Sequence, residues 1–501
     1  MYESCDPPIN GTVEYNVTEE MKKLDPTRPW EPVDFLERHP YIYSLNPVLG
    51  KKGMLDWIKC KDKPNVNNED IWFWLDKNGN STFLTNIDIL NRWLGQEETT
   101  PHERLKHQAF LGSEVTEFWR RERWDGIAPF VYLGSNTGAT ANWFLDIRNL
   151  TVKPIMGSLK NAFAPFGVSI ELWDRHFFAK ETRNINVYVF NDNRTVNKSG
   201  TLHYKIINKN GTEVFSGPPI PVDVPAGGME IIPLNWTMSS SNGTYYLNAS
   251  LIENGTVVGS SQKIVHVFNT TIPDNLLKAK IMVYDPDDEI YNYLNRTVPM
   301  VSKFNSSELM EQDILILGER ALLDSNYSSR MAEITKFVQN GHSVLIMEPG
   351  YGLPNEDGYE TGLRVLDNLS VLVIGKEKGN YESYVFWEDR NFSVWNGINK
   401  EHLKMFNGGL GGEMVDSSKD VIPLQKIVKR AKCGKDLKIP ALMETNYSNG
   451  TVVFSRIQVR GRLAEEADPG AKLYLRKANV EDAIHQLLHL FIQRTKKISA
   501  F

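Results

Sequence analysis

The chain has 501 residues, of which 41% are hydrophobic and 24% charged, the composition of an ordinary globular protein. A single hydrophobic core stops growing at about 250–300 residues, so the length predicts about three domains. The formal net charge of −6 excludes a broad basic field for nucleic acid or an anionic membrane. No apolar run reaches the roughly 18 residues of a membrane-spanning helix, and no signal peptide follows Met1. We therefore expect no membrane span, and either a mature or truncated product or a reading frame that begins inside a longer gene.

The first predicted domain, residues 1–163, combines helical patterns with short apolar runs. Residues 102–124 show the spacing of a long amphipathic helix, and residues 126–134 read as a buried strand. A further strand-like run covers residues 142–147. A helix that leads into an all-apolar strand is typical of a parallel α/β unit.

The second predicted domain, residues 164–272, changes to a period of two. Its apolar and polar residues alternate in short runs, which Gly, Asn and Pro separate every 8–12 residues. This pattern predicts an antiparallel, immunoglobulin-like β-sandwich. Nothing in it indicates catalysis.

The third predicted domain, residues 273–501, alternates strands and helices as in a small doubly wound α/β fold. It contains no GxGxxG motif after its first strand and no cysteine at a strand–helix elbow, so we interpret it as non-catalytic. The runs 370–375 and 450–461 are expected to add strands, and residues 480–494 a closing helix.

The three cysteines, Cys5, Cys60 and Cys433, are too few for a disulfide framework. One disulfide is possible, but its pairing cannot be read from the sequence. No Cys/His spacing of a metal site occurs, and we expect neither a metal nor a cofactor.

Nineteen N-x-S/T sequons occur, where chance would give about seven. The excess predicts a glycosylated protein, extracellular or at the cell surface, although a sequon is only an acceptor pattern and an Asn-rich chain without glycans remains the alternative. The asparagines are Asn10, Asn16, Asn80, Asn149, Asn193, Asn197, Asn210, Asn235, Asn242, Asn248, Asn254, Asn269, Asn295, Asn305, Asn326, Asn368, Asn391, Asn446 and Asn449.

Two carboxylates in the first domain are candidates for chemistry. Glu3 stands at the start of the chain, and Glu69 stands in a run of Asn and Trp residues. Such neighbours suit a sugar, because an amide can bind a hydroxyl and an indole ring can stack on a sugar face. By spacing alone, however, a pair of acidic residues is usually solvated surface.

Five segments in order resemble glycoside hydrolase family 2 enzymes of the β-galactosidase and β-glucuronidase type. They cover residues 24–32, 37–43, 67–85, 116–133 and 142–179. The resemblance implies an eight-stranded (β/α)8 barrel, followed by an immunoglobulin-like domain and a flavodoxin-like or glutamine-amidotransferase-like α/β domain. The fold class is therefore expected to be multidomain, α/β plus all-β.

The same resemblance assigns roles to residues. It implies that Glu3 is the acid/base and Glu69 the nucleophile of a retaining β-glycosidase, with the two carboxyls about 5–5.5 Å apart. It also implies a carbohydrate substrate bound with the help of five further residues, which are His39, Asn68, Trp72, Trp74 and Trp143. His39 could equally be structural, and the tryptophans could equally belong to the core.

An acid/base at residue 3 would leave the barrel without its first strands. We therefore expect catalysis to need an N-terminal half, which another chain could supply. The alternatives are a non-catalytic glycoprotein with a structural or carbohydrate-binding role, derived from a glycosidase, and a gene fragment with no independent role. The identity of the sugar and the oligomeric state cannot be read from the sequence.

Overall fold

A computed structural model represents the protein. It describes residues 13–31, 35–38, 63–67, 69, 74–82, 90–91, 94–95, 98–130, 143–172, 175–268, 276–354, 356–375, 385–392, 395, 403, 419–433 and 437–457. In these ranges the chain is mostly β-sheet with few helices, arranged in several separate sheets. This architecture agrees with a multidomain α/β plus β protein.

The N-terminal region contains helix α1 (Val13–Leu24) and a parallel sheet of strands β1 (Leu36–Arg38), β2 (Asn65–Asn67) and β3 (Gly126–Ile127). The strands lie side by side in chain order, with β2 in the centre. Parallel neighbours in chain order are what a (β/α) barrel requires, and the complete barrel stays a prediction.

Strand β3 is shorter than predicted. The strand expected over residues 126–134 ends at Ile127, and the described residues 128–130 lie outside it. Pro129 explains the early end, because proline has no N–H to donate to a neighbouring strand.

Helix α2 (Pro101–Arg121) confirms the predicted amphipathic helix. Its start is set by a capping box: the hydroxyl of Thr100 accepts from the Glu103 N–H at 3.3 Å, and the Glu103 carboxylate accepts from the Thr100 N–H at 2.7 Å. The hairpin β4 (Phe144–Asp146) and β5 (Thr151–Val152) follows, and then helix α3 (Pro154–Ala162), which packs against α2.

Replacing Thr100 with alanine is expected to lower the free energy of unfolding by about 1 kcal/mol, because the Glu103 N–H in the first turn loses the hydroxyl that accepts its hydrogen bond. Urea unfolding monitored by circular dichroism measures the change. Thr100→Ser keeps the hydroxyl and should stay close to the parent protein. Equal losses in both variants would show that the cap is not the cause.

Residues 166–268 form two facing sheets, as the alternating pattern predicts. The strands are β6 (Phe166–Ile170), β7 (His176–Phe178), β8 (Thr182–Asn191), β9 (Lys198–Asn208), β10 (Glu213–Ser216), β11 (Ile220–Val224), β12 (Met229–Thr237), β13 (Gly243–Glu253) and β14 (Thr256–Phe268). One sheet has the order β12-β8-β6, and the other has the order β10-β9-β13-β14-β7, with β11 also on β9. Alternate residues of both sheets fill one core around Trp236. That the arrangement is immunoglobulin-like stays a prediction.

A buried ionic cluster joins α2 to this sandwich. Lys263 Nζ lies 2.9 Å from carboxylate oxygens of both Glu114 and Glu117, and Arg175 lies 2.8 Å from Glu114. Ser169 and Ser261 donate their hydroxyls to Glu117 at 2.6 and 3.0 Å. Burial alone would raise the pKa of Glu114, but the charges of Arg175 and Lys263 outweigh it and hold that pKa below its ordinary value.

The C-terminal region is built on a mixed sheet whose parallel part confirms the predicted α/β pattern. Its parallel strands are β15 (Ile281–Tyr284), β16 (Val301–Lys303), β17 (Ile314–Leu317), β18 (Ser343–Met347) and β25 (Gly450–Ser455), and its helices are α4 (Glu289–Thr297) and α5 (Tyr327–Gln339). The sheet order β16-β15-β17-β18-β25 is the 2-1-3-4-5 order of doubly wound flavodoxin-like sheets. The antiparallel strands β24 (Ile439–Tyr447), β23 (Val428–Cys433) and β21 (Phe386–Trp387) extend it.

The strand predicted over residues 370–375 belongs to a different sheet. Strands β19 (Glu360–Leu366), β20 (Leu369–Gly375) and β22 (Lys419–Pro423) form a separate antiparallel sheet. Along β20, buried residues alternate with half-buried ones, because one face of this small sheet is covered and the other is partly open. The predicted closing helix, 480–494, lies outside the described residues.

Candidate functional site

Glu69 lies at the carboxyl end of the central parallel strand. Strand β2 ends at Asn67, and Glu69 follows two residues later with a half-buried side chain. Neighbouring strands fix this end: the Ala128 N–H donates to the Asn67 carbonyl at 2.7 Å, and Asn67 itself is fully buried. In parallel barrels, this edge of the sheet carries the catalytic side chains.

Trp74 is buried close to the same edge, with 5% of its surface exposed. Its indole N–H donates to the Phe130 carbonyl at 3.3 Å, and the two rings meet edge to face at 5.9 Å. Phe130 follows β3, so this contact joins Trp74 to the residues just beyond that strand. The described geometry gives Trp74 a packing role, and stacking on a substrate stays a prediction.

Lys153 connects the Trp74 segment to Trp143. Its N–H donates to the Trp143 carbonyl, and its ammonium donates to the Leu75 carbonyl, both at 2.8 Å. Burial lowers the pKa of Lys153 to about 8, against the opposing charge of Asp76. Trp143 packs with Ile155 and Leu159 of α3. Sequence reasoning missed Lys153, because a lysine just before a helix reads as solvent-exposed.

The other predicted site residues lie outside the described residues. These are Glu3, His39, Asn68 and Trp72. The distance between the Glu3 and Glu69 carboxyls, on which the retaining mechanism depends, therefore stays a prediction.

The sequon asparagines lie on the surface wherever their side chains are described. Asn10 and Asn269 fall outside the described residues, and the side chain of Asn16 is not described. Asn80 and Asn248 are half-buried. The exposed ones are Asn149, Asn193, Asn197, Asn210, Asn235, Asn242, Asn254, Asn295, Asn305, Asn326, Asn368, Asn391, Asn446 and Asn449. A glycan could therefore be attached at each described sequon without unfolding of the protein.

The C-terminal sheet gathers acidic residues where its strand order reverses. Asp285 follows β15, Glu319 follows β17, and Glu348 follows β18 with a left-handed φ of 41°. Asp285 Oδ2 accepts from the Ile290 N–H at the start of α4 at 2.8 Å. Oε1 of Glu319 is buried and has no hydrogen-bond partner among the described residues. Burial, together with the charges of Glu348, Glu289 and Asp285, raises the pKa of Glu319 to about 9.

Replacing Glu319 with glutamine is expected to change how stability depends on pH. The unfolded carboxyl ionises near pH 4.3, whereas the folded one keeps its proton to about pH 9, so folding of the parent protein weakens as pH rises between these values. The free energy of unfolding of Glu319→Gln, relative to the parent, should therefore rise by about 1.4 kcal/mol per pH unit from about pH 5 to 8. Urea titrations at several pH values test this, with the exposed Glu308→Gln as control. A pH-independent difference would contradict the assignment.

In the part of the chain that the structure describes, no group of acidic, histidine or cysteine side chains is arranged to hold a metal ion. No helix among those residues has the length and apolar character needed to cross a membrane. Cys433 is buried, and its sulfur lies 3.8 Å from a guanidinium nitrogen of Arg456. Cys5 and Cys60 lie outside the described residues, so whether the chain has a disulfide bond stays a prediction.

No protein-family model and no curated protein matches the chain. Structural neighbours include an exo-chitosanase from Amycolatopsis orientalis, at 17% identity and a TM-score of 0.27, covering 36% of this chain and 21% of that one. A β-glucosidase from Listeria innocua matches at 9% identity and a TM-score of 0.17, and the match covers 20% of this chain and 16% of the β-glucosidase. A CARDB domain from Pyrococcus furiosus, in complex with di-metal ions, matches at 22% identity and a TM-score of 0.18, and the match covers 20% of this chain and 86% of the CARDB domain. Some neighbours are thus glycoside hydrolases, and the likeness is confined to a small part of each of them.

Proposed function

We propose that the protein acts in the hydrolysis of β-linked sugars as a retaining glycosidase, with Glu69 as the nucleophile. The observation that carries the proposal is the position of Glu69, at the carboxyl end of the central strand of a parallel sheet. It is also the position that the resemblance to glycoside hydrolase family 2 assigns to the nucleophile.

In the proposed mechanism, Glu69 attacks the anomeric carbon and forms a glycosyl-enzyme, while Glu3 protonates the leaving oxygen. Water, deprotonated by Glu3, then breaks the new ester bond, so that the product keeps its β configuration. His39, Asn68, Trp72, Trp74 and Trp143 are proposed to shape the sugar site. The described contacts support a positioning role for Trp74, since its hydrogen bond to the Phe130 carbonyl fixes its ring beside the residues that follow β3.

The test is hydrolysis by the protein isolated from its native source, together with any polypeptide that co-purifies. Aryl β-galactoside, β-glucuronide, β-glucoside and β-mannoside are the probes, and proton NMR follows the anomeric form of the first product. Release of the β anomer from at least one probe is expected. Release of the α anomer, or no hydrolysis of any probe, would overturn the proposal.

A second candidate is a non-catalytic surface glycoprotein with a structural or carbohydrate-binding role. The exposed sequons favour it, because the described ones lie on the surface in every region of the chain. Mass spectrometry of glycopeptides from the native protein tests this function, and glycans at most described sequons together with no hydrolysis would support it. Peptides that carry no glycan would remove its basis and the expectation of an exported protein.

A further inference from the structure

A cleft separate from the candidate glycosidase site lies between helices α2 and α3 and strands β13 and β14. Its volume is about 620 Å³. Ligand pockets in proteins usually enclose about 300–1,000 Å³, so the cleft has the size of a small-molecule site. Helices from one predicted domain and strands from the next form its walls.

The charges at the base of the cleft are compensated. Glu114 and Glu117 line it, and each is within 2.9 Å of Lys263, which is buried behind them. Arg175 adds a second cation on Glu114. Several partners therefore hold these carboxylates in place, and the base of the cleft carries no uncompensated charge.

The walls offer neutral hydrogen-bonding groups and two aromatic rings. Ser113, Asn161 and Gln262 line the cleft, and Gln262 is held by a 2.7 Å hydrogen bond from its Nε2 to Asn248 Oδ1. The half-buried rings of Phe110 and Tyr246 also line it. Flat apolar faces among neutral donors and acceptors are complementary to a molecule that has both apolar faces and hydroxyls.

The lining argues against other classes of ligand. The carboxylates of Glu103, Glu114 and Glu117 are balanced by the cations Lys106, Lys263 and Arg175, so the cleft has no net charge that would attract an anion. A cation would find Glu114 and Glu117 already neutralised by Lys263. A purely apolar ligand would take the exposed amide of Asn161 out of water without offering it a hydrogen bond, which is costly. We infer that the cleft binds a neutral oligosaccharide, at a site that is independent of Glu69.

Isothermal titration calorimetry with cellotetraose, chitotetraose and mannotetraose tests the inference. At least one is expected to bind, and Tyr246→Ala should raise its Kd about tenfold by removing a ring contact. Asn161→Trp should abolish binding by filling the cleft, since Asn161 is exposed at the end of α3 and tolerates a larger side chain. Tyr359→Ala, in the C-terminal region, is the matched control and should keep the parent Kd.

The outcomes separate this site from the proposed glycosidase. Glu69→Gln should keep oligosaccharide binding in the cleft, and Tyr246→Ala should keep any hydrolysis of aryl glycosides. No heat of binding up to about 10 mM of all three sugars would overturn the inference. Binding that Tyr246→Ala and Asn161→Trp leave unchanged in folded protein, as thermal melts would establish, would also overturn it. Displacement of an anionic dye from the cleft, without sugar binding, would assign the site to another class of ligand.

Discussion

Replacing Lys263 with methionine is expected to lower the free energy of unfolding by about 3 kcal/mol. Lys263 is fully buried and is the shared partner of Glu114 and Glu117, so its loss leaves two buried carboxylates with less compensation. Removing one partner of a buried ion pair costs about 3–5 kcal/mol. The lower end applies here, because Arg175 and two serine hydroxyls continue to hold the carboxylates.

Urea unfolding at neutral pH measures this effect, and the chain supplies a matched control. Lys205 forms an exposed ion pair with Glu213 at 3.4 Å, so Lys205→Met should cost less than about 1 kcal/mol. Adding Glu117→Gln to Lys263→Met should recover part of the loss, since one uncompensated charge is removed. Similar small effects in both lysine variants would contradict the buried cluster as a determinant of stability.

Replacing Glu69 with glutamine is expected to lower hydrolysis of aryl β-glycosides at least about a thousandfold. Glutamine has the shape of glutamate but cannot form the glycosyl ester, so the loss should lie in kcat rather than in substrate binding. The measurement uses the native protein preparation that shows activity, and the matched control is Glu20→Gln, an exposed residue of α1 paired with Lys23. Full activity of Glu69→Gln would remove this residue from the mechanism.

The thermal melting temperature of Glu69→Gln separates chemistry from folding. Glu69 is half-buried and lies just after a strand. Replacing its carboxylate with the amide of glutamine should therefore keep the melting temperature within a few degrees of the parent value. A large drop would mean that the carboxylate stabilises the sheet edge instead. In that case, hydrolysis would have to be compared at temperatures where both proteins are folded.

Local sequence patterns were sufficient to predict the helices and strands that depend only on neighbouring residues. Helix α2 follows from its amphipathic spacing and the Thr100–Glu103 capping box, which depend only on neighbouring residues. The strands of the sandwich follow from the alternation of apolar and polar residues, because one face of each strand is buried and the other faces solvent. Glu69 follows β2 in the structure, and its catalytic role, like the roles of Glu3, His39, Asn68 and Trp72, remains a prediction.

By itself, the sequence determined the types of element and their order along the chain, because hydrophobic period, caps and turns act over a few residues. Only the tertiary structure decided which distant groups meet. It placed β20 in a separate sheet, buried Lys153 against the Leu75 carbonyl and brought Lys263 to two glutamates of α2. The physical reason is that a buried charge is tolerable only beside its partners, and those partners lie far away along the chain.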